Sequence, residues 1–226
     1  MQPEAISVQE VLTKATNLIL KNSFELVGAG RTDAGVHASQ MYAHFDTEVD
    51  FNSEDAVRKI NSYLPEDIAV FRIFPVSADA HTRFDATART YEYHIHLKKN
   101  VFSKDLSWYH FRKLNIDKMN EAAKILLEYE DFECFSKTHT DVFTFNCTIT
   151  EAHWQLNNDN LVFTISANRF LRNMVRAIVG TLINIGLEKI EVQEMRTIIE
   201  SKNRGKAGFS VPAHGLYLTK VSYPYI

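Results

Sequence analysis

Apolar positions in residues 7–22 recur at helical spacing: Val8, Val11, Leu12, Ala15, Leu18 and Ile19. A period of 3.6 residues gathers them on one face, which predicts an amphipathic helix. Ser7 precedes the run and Glu10 follows three residues later, the arrangement of a capping box. Residues 24–27 predict a short apolar strand leading into glycines. Residues 40–48 alternate, Ala43 and Phe45 against Tyr42 and His44, as a half-buried strand does. Residues 53–64 predict a second helix, capped by Ser53 and stopped near Pro65, and residues 68–76 a third strand.

The remainder repeats the alternation more fully. In residues 87–97, Tyr91, Tyr93, Ile95 and Leu97 face one way, and Thr90, Glu92, His94 and His96 the other. Residues 117–129 predict a helix. Residues 146–156 and 161–168 predict a hairpin around the turn-rich Asn157-Asn158-Asp159-Asn160. Residues 171–185 predict a strongly apolar helix, residues 192–200 another, and residues 216–223 a closing strand. Helix, strand, strand, helix, strand is a ferredoxin-like βαββαβ unit without its first strand. The expected fold is therefore α+β, with two related halves at residues 1–86 and 87–226. No Gly/Ser-rich linker separates them, which favours joined antiparallel or mixed sheets with a central cleft.

Composition narrows the class without naming a function. Hydrophobic residues make up 45% of the 226, enough for a packed core. No apolar run reaches the roughly 18–20 residues that span a bilayer. The start has neither a basic segment nor an apolar one, so no secretory signal is expected. Cys134 and Cys147 fit no zinc pattern and read as reduced thiols of a cytoplasmic protein. The formal net charge of −3 means that any nucleic-acid surface must come from local arginines rather than the total.

Four stretches have the composition of a site. In "GAGRTDAGVHA", residues 28–38, an Arg, an Asp and a His stand among glycines and alanines. Position 33 is Asp where a dinucleotide-binding loop needs Gly, and no phosphate-loop Lys follows. Two readings remain: a tight turn closed by an Arg–Asp contact, or a carboxylate at Asp33 that a planar ligand can approach, with Arg31 beside it as an anion fork. In "RFDATARTYEYHIH", residues 83–96, Tyr91 and Tyr93 are either core rings or a stacking surface, with Arg83 and Arg89 nearby. In residues 167–186, Leu171, Met174, Val175, Ile178, Val179, Leu182 and Ile185 form an apolar face. Arg169, Arg172 and Arg176 form an adjoining stripe, provided that the helix extends back that far. That stripe is a solvated face, a phosphate-binding ridge, or a setting where Arg176, deepest in the apolar run, turns onto a buried carboxylate. Residues 204–224 place Arg204 and Lys206 in a glycine-containing loop, then Leu216 and Leu218 on one strand face. His94 and His96 form an H-x-H with no third ligand nearby, so no metal is expected.

Together these stretches resemble the TruA family of tRNA pseudouridine synthases. "GRTDAGVHA" (30–38) is similar to the family's catalytic motif and "ATARTYEY" (86–93) to its tyrosine motif. "FLRNMVRAIVG" (170–180) is similar to the helix bearing its arginine, and "AHGLYLTKVSY" (213–223) to its closing strand. The resemblance runs from about residue 3 to the end. Family members open with a strand and an aromatic segment that precede this chain's "QP", so the resemblance implies that the first half lacks its first strand and is less stable for it.

The resemblance implies an isomerase of the pseudouridine synthase fold, cytoplasmic and without cofactor. It would convert uridine to pseudouridine at positions 38 to 40 of the tRNA anticodon stem-loop. The base is flipped out of the stack, detached, rotated and rejoined through carbon 5. Asp33 would be the nucleophile toward ribose or base, Arg176 its charge partner, and Tyr91 the ring against the uracil or the acceptor of the carbon 5 proton. Arg31 would fill the vacated space or hold a phosphate, and Leu216 would form an apolar wall. Arg83, Arg89, Arg169, Arg172, Arg204 and Lys206 would meet phosphates. The family acts as a homodimer on tRNA. Two rival expectations are a tRNA-binding protein or folding chaperone without catalysis, and a small hydrolase using Asp33 and His37.

Overall fold

The computed structural model of the protein describes residues 6–137 and 142–226. The chain divides into two compact units. The first holds the residues up to Arg31 and Tyr42–Asp85; the second holds Thr32–Met41 and Ala86–Ile226. Residues 32–41, which the pattern alone counts with the first half, therefore group with the second. The class is α+β, as expected.

In the first unit, helix α1 (Val8–Leu20) starts at Ser7, whose hydroxyl accepts from the Glu10 backbone N–H. The capping box is only half made, because the Glu10 carboxylate binds Lys14. Strand β1 (Val27–Gly28) pairs antiparallel with β3 (Ala43–His44); the strand between them in sequence, β2 (His37–Ala38), belongs to the second unit. Helix α2 (Ser53–Tyr63) is capped by Asn52, one residue before the expected Ser53.

The strand expected at residues 68–76 does not form, and those at 24–27 and 40–48 shrink to two-residue ladders. Helix side chains explain this. Asn61 on α2 takes both backbone groups of Val70, donating to its carbonyl and accepting from its N–H. Asn17 on α1 does the same for Phe24, and Gln9 donates to the Leu26 carbonyl. Each amide satisfies backbone groups that a neighbouring strand would otherwise pair. The apolar pattern predicted strands but carried no information on what the backbone would bond to.

The second unit is built on a six-stranded mixed sheet in the order β2-β8-β4-β7-β6, with β5 also on β4. Its long members are β4 (Ala88–His96), β6 (Ile149–Asn157), β7 (Asn160–Ala167) and β8 (Leu216–Ser222). The β6–β7 hairpin turns where expected, and Asn158 supplies the positive φ of 56° that a tight hairpin turn requires. β8 pairs antiparallel with β4 only up to Tyr93; beyond it β5 (Trp108–Tyr109) takes the same edge in parallel. β2 lies parallel to β8, with His37 opposite Tyr217. Neither β2 nor β5 was expected, since two residues leave no periodicity to read. The register of β4 against β8 shifts between Thr90 and Tyr91, a bulge beside the tyrosine.

Helices α3 (Ile116–Ile125), α4 (Met174–Gly186) and α5 (Glu194–Glu200) pack together in this unit, with α3 also against β6. Tyr93, Phe132, Phe135, Phe163, Met174 and Ile178 fill the core. α4 is buried on nearly its whole circumference, which explains its unbroken apolar composition. It begins three residues later than expected, because Asn173 adopts a left-handed conformation (φ 67°). Arg169 and Arg172 therefore precede the helix, and the stripe of three arginines on one helical face is not formed.

Two glycines set the closest packing. A Cβ on Gly180 of α4 would lie 1.8 Å from the Phe209 carbonyl oxygen, and one on Gly208 would lie 2.4 Å from Gly180 backbone. The segment 204–212 thus lies directly on the helix, fixed by the Gly208 N–H donating to the buried Thr181 hydroxyl at 2.8 Å. Gly180→Ala should lower the urea midpoint more than Gly186→Ala, because the latter's new methyl meets the flexible end of Met119 rather than backbone. Equal midpoints would contradict this packing account.

Burial also sets an alkaline limit. It pushes the Cys134 thiol from 9.0 to about 12 and the Cys147 thiol from 9.0 to about 11, and raises the Tyr93 phenol well above 10.0. These groups stay protonated in the fold while the unfolded chain ionises from about pH 9 upward. Their contribution is complete below pH 9 and declines as pH rises toward 12. The urea midpoint should therefore hold near pH 8 and fall by pH 11; a flat profile between the two would refute it.

Candidate active site

Asp33 and Arg176 come from positions 143 apart in the chain and meet in the second unit. Asp33 precedes a turn in which its carbonyl accepts the Val36 N–H and Gly35 takes φ 80°, a conformation that glycine adopts without strain. Arg176 sits in the first turn of α4, mostly covered, where an unpartnered guanidinium would be costly. Its Nη1 donates to Asp33 Oδ2 at 2.9 Å and its Nε to the Val211 carbonyl at 2.7 Å. Both side chains are mostly covered, 19% exposed for Arg176 and 25% for Asp33. Asp33 Oδ1 accepts no hydrogen bond among the described residues; the Arg172 Nε stands 3.9 Å from it. One carboxylate oxygen is held and the other is open to a substrate.

These groups line a cavity of about 630 Å³ together with Ala34, Lys137, Asn173, Arg204 and Ser210. Among the described residues of the lining, four cationic side chains accompany one carboxylate, a local positive surface of the kind an acidic chain needs to meet phosphates. Arg204 donates to the Gly208 carbonyl and to the Ser210 hydroxyl.

Tyr91 and Tyr93 separate in role. Tyr93 is fully buried and donates to the Pro212 carbonyl at 2.8 Å, so it is a core ring. Tyr91 is half-buried, with the Phe170 ring edge-on at 5.2 Å. Burial pushes its phenol up to about 12; the Asp33 charge adds to the rise and the Arg89 charge opposes it. The phenol thus keeps its proton at neutral pH.

Other expected residues are not among those that line this cavity. Arg89 donates to the Asn168 carbonyl, and Arg169 to the Thr144 carbonyl. Lys206 is exposed. Leu216, 6% exposed, belongs to the main core, which its place on the covered edge of β4 explains. Arg31 and Arg83 belong to the first unit. The Asp33–His37 pair of the hydrolase reading is not made: His37 stacks on Tyr217 at 4.6 Å, with Nε2 3.1 Å from the Asp105 carbonyl. His94 pairs with Glu92 and His96 with Ser107, and no group of three metal-ligating side chains occurs among the described residues. Among those residues, no helix is long and apolar enough to cross a membrane.

Lys137, Asn173 and Ser210 line the cavity unannounced by the sequence. Asn173, a polar residue at the head of an apolar helix, was the one available signal.

Comparison with known proteins gives the family of the chain. The family described as tRNA pseudouridine synthase matches residues 122–224, a span containing Arg172, Arg176 and Arg204. The chain is similar to tRNA pseudouridine synthase A of Porphyromonas gingivalis, with 51% identity over 99% of this chain and 90% of that protein. The protein of the same name from Bacteroides fragilis is also 51% identical, over 99% and 90%. That from Bacillus subtilis is 37% identical, over 99% and 92%. Identity at this level over nearly the whole chain, with an Asp–Arg pair in a cationic cavity, makes this chain a member of the tRNA pseudouridine synthase A family.

Proposed function

We propose that this chain isomerises uridine to pseudouridine in tRNA, in the anticodon stem-loop at positions 38 to 40, with Asp33 as nucleophile. The observation that carries the reading is the Asp33–Arg176 pair: one carboxylate oxygen is held at 2.9 Å, the other accepts no hydrogen bond among the described residues, and cations line the cavity with both. A paired base cannot reach such a carboxylate, so the uridine is flipped out at a cost of about a few kcal/mol, offset by contacts in the pocket. Asp33 attacks the ribose carbon or the base. The bond from ribose to nitrogen 1 breaks, the uracil turns, carbon 5 bonds to the ribose, the bond to Asp33 breaks so that the carboxylate is regenerated, and carbon 5 gives up its proton to solvent while nitrogen 1 takes one from it. Arg176 keeps the carboxylate aimed throughout.

Tyr91 lays its ring against the uracil. A phenol held near 12 is a weak proton acceptor at neutral pH, which favours stacking over removal of the carbon 5 proton. Arg172 and Arg204 meet the RNA backbone at the cavity, and Arg83, Arg89, Arg169 and Lys206 meet it elsewhere. Arg31 follows the flipped nucleotide or its phosphate, and Leu216 supports the tyrosine strand from the core. The enzyme works in the cytoplasm as a homodimer.

Asp33→Asn should abolish tritium release from carbon 5 of labelled uridine in tRNA while leaving tRNA affinity within about threefold, the size of change expected when a group that acts in the chemistry is replaced without loss of volume. Continued turnover would end the nucleophile assignment, and binding with no product by the parent protein would favour a binding-only role. Affinity for tRNA should also fall with salt, with a slope of log K against log [salt] steeper than about −2 for three or more phosphate contacts. A slope near zero would remove the cationic cavity from RNA binding.

A further inference from the structure

The cavity beside Asp33 contains a hydrogen-bond donor that the proposed chemistry leaves unused. The Ser210 hydroxyl accepts two hydrogen bonds, from Asn173 Nδ2 at 2.7 Å and from Arg204 Nη2 at 3.1 Å. A hydroxyl has two acceptor lone pairs and one proton. With both lone pairs occupied, the proton points away from Asn173 and Arg204, and no acceptor receives it among the described residues. Ser210 lines the cavity, so its proton is available to an acceptor there, water or a group of a bound ligand that displaces it.

The surroundings specify that acceptor. Arg204 is anchored through Nη1 to the Gly208 carbonyl at 3.0 Å, so its charge stays beside the hydroxyl. Arg172 and Lys137 line the same cavity. Among the described residues of the lining, Asp33 is the one carboxylate, and Arg176 engages it. Asn173 holds its amide on Ser210 from a left-handed backbone, which asparagine tolerates better than most residues. Two donors drawing on the oxygen polarise its O–H, making it a stronger donor. A polarised hydroxyl among three cations suits an anionic oxygen.

We propose that Ser210, with Arg204, Arg172 and Lys137, forms a phosphate subsite that takes the phosphodiester adjoining the flipped uridine, with Asn173 as the residue that positions the hydroxyl. This rests on the reading that the substrate is RNA. It gives the enzyme a neutral donor that registers the backbone against Asp33, where lysine and arginine alone would attract RNA without fixing its position.

The test is a cycle between protein and RNA. Synthetic anticodon stem-loops carry a neutral methylphosphonate in place of one phosphate near the target uridine, one linkage at a time. Binding is read by fluorescence anisotropy for the parent, Ser210→Ala and Arg204→Gln, with folding checked by circular dichroism. The parent should lose about tenfold in affinity at one linkage, the scale of one hydrogen bond to a charged group. Ser210→Ala should lose affinity for unmodified RNA, and the further loss at that linkage should be smaller than the parent's, since contacting groups do not add. Arg204→Gln should show the same coupling, which keeps the subsite testable if either variant folds poorly. Losses that add at every linkage, or Ser210→Ala binding as the parent does, would overturn the subsite and leave the hydroxyl to another group, such as a uracil carbonyl. Pseudouridine formation by the parent on the unmodified stem-loop is scored in parallel. Its absence would count against the activity, while the coupling would still report on the phosphate.

Discussion

The Arg176 guanidinium joins the chemistry to the fold. It lies on a helix buried almost all round, where a bare charge would be costly, and two acceptors from other parts of the chain relieve that cost. The Asp33 carboxylate comes from the turn before β2, and the Val211 carbonyl from the segment crossing α4. Neither acceptor is local to the helix. A chain that packed α4 without these partners would leave a mostly covered guanidinium without acceptors.

The crossing segment is held with equal economy. Gly180 and Gly208 let two backbones touch, and the Thr181 hydroxyl takes the Gly208 N–H. That contact sets where Ser210 and Val211 lie, and hence which way Arg176 and Arg204 point. A strand edge does comparable work on the other side: the bulge of β4 against β8 falls at Tyr91, whose ring stays half-buried while Tyr93, two residues on, is sealed in the core. Two tyrosines of the same strand face thus acquire different tasks from their depth alone. The charges follow the same economy. A chain of net charge −3 collects four cations around one carboxylate, so its capacity to meet phosphate depends on placement rather than amount.

Legibility followed the range of the interactions involved. Long strands and helices of the second unit announced themselves through period and turn residues, because α4, β4, β6, β7 and β8 each repeat a pattern over seven residues or more. β2 and β5 did not, since two residues cannot show a period. The first unit misled for another reason. Residues 68–76 form an apolar run that reads as a strand, yet Asn61 takes the Val70 backbone groups that a ladder would use. The start of α4 was misjudged because the left-handed turn at Asn173 stops a pattern that hydrophobicity would continue, and this removes Arg169 and Arg172 from the helix.

By itself the sequence determined the residue types of the site and the family they resemble: a carboxylate among small residues, a tyrosine on a strand, and an arginine inside an apolar helix. These are local compositions, and a linear pattern can carry them. Only the tertiary structure decided which arginine meets Asp33, which tyrosine is open, and that Ser210 and Asn173 share the cavity with them. Those outcomes depend on distances between residues up to 143 positions apart, and such distances arise only when the sheet, α4 and the segment over it pack together.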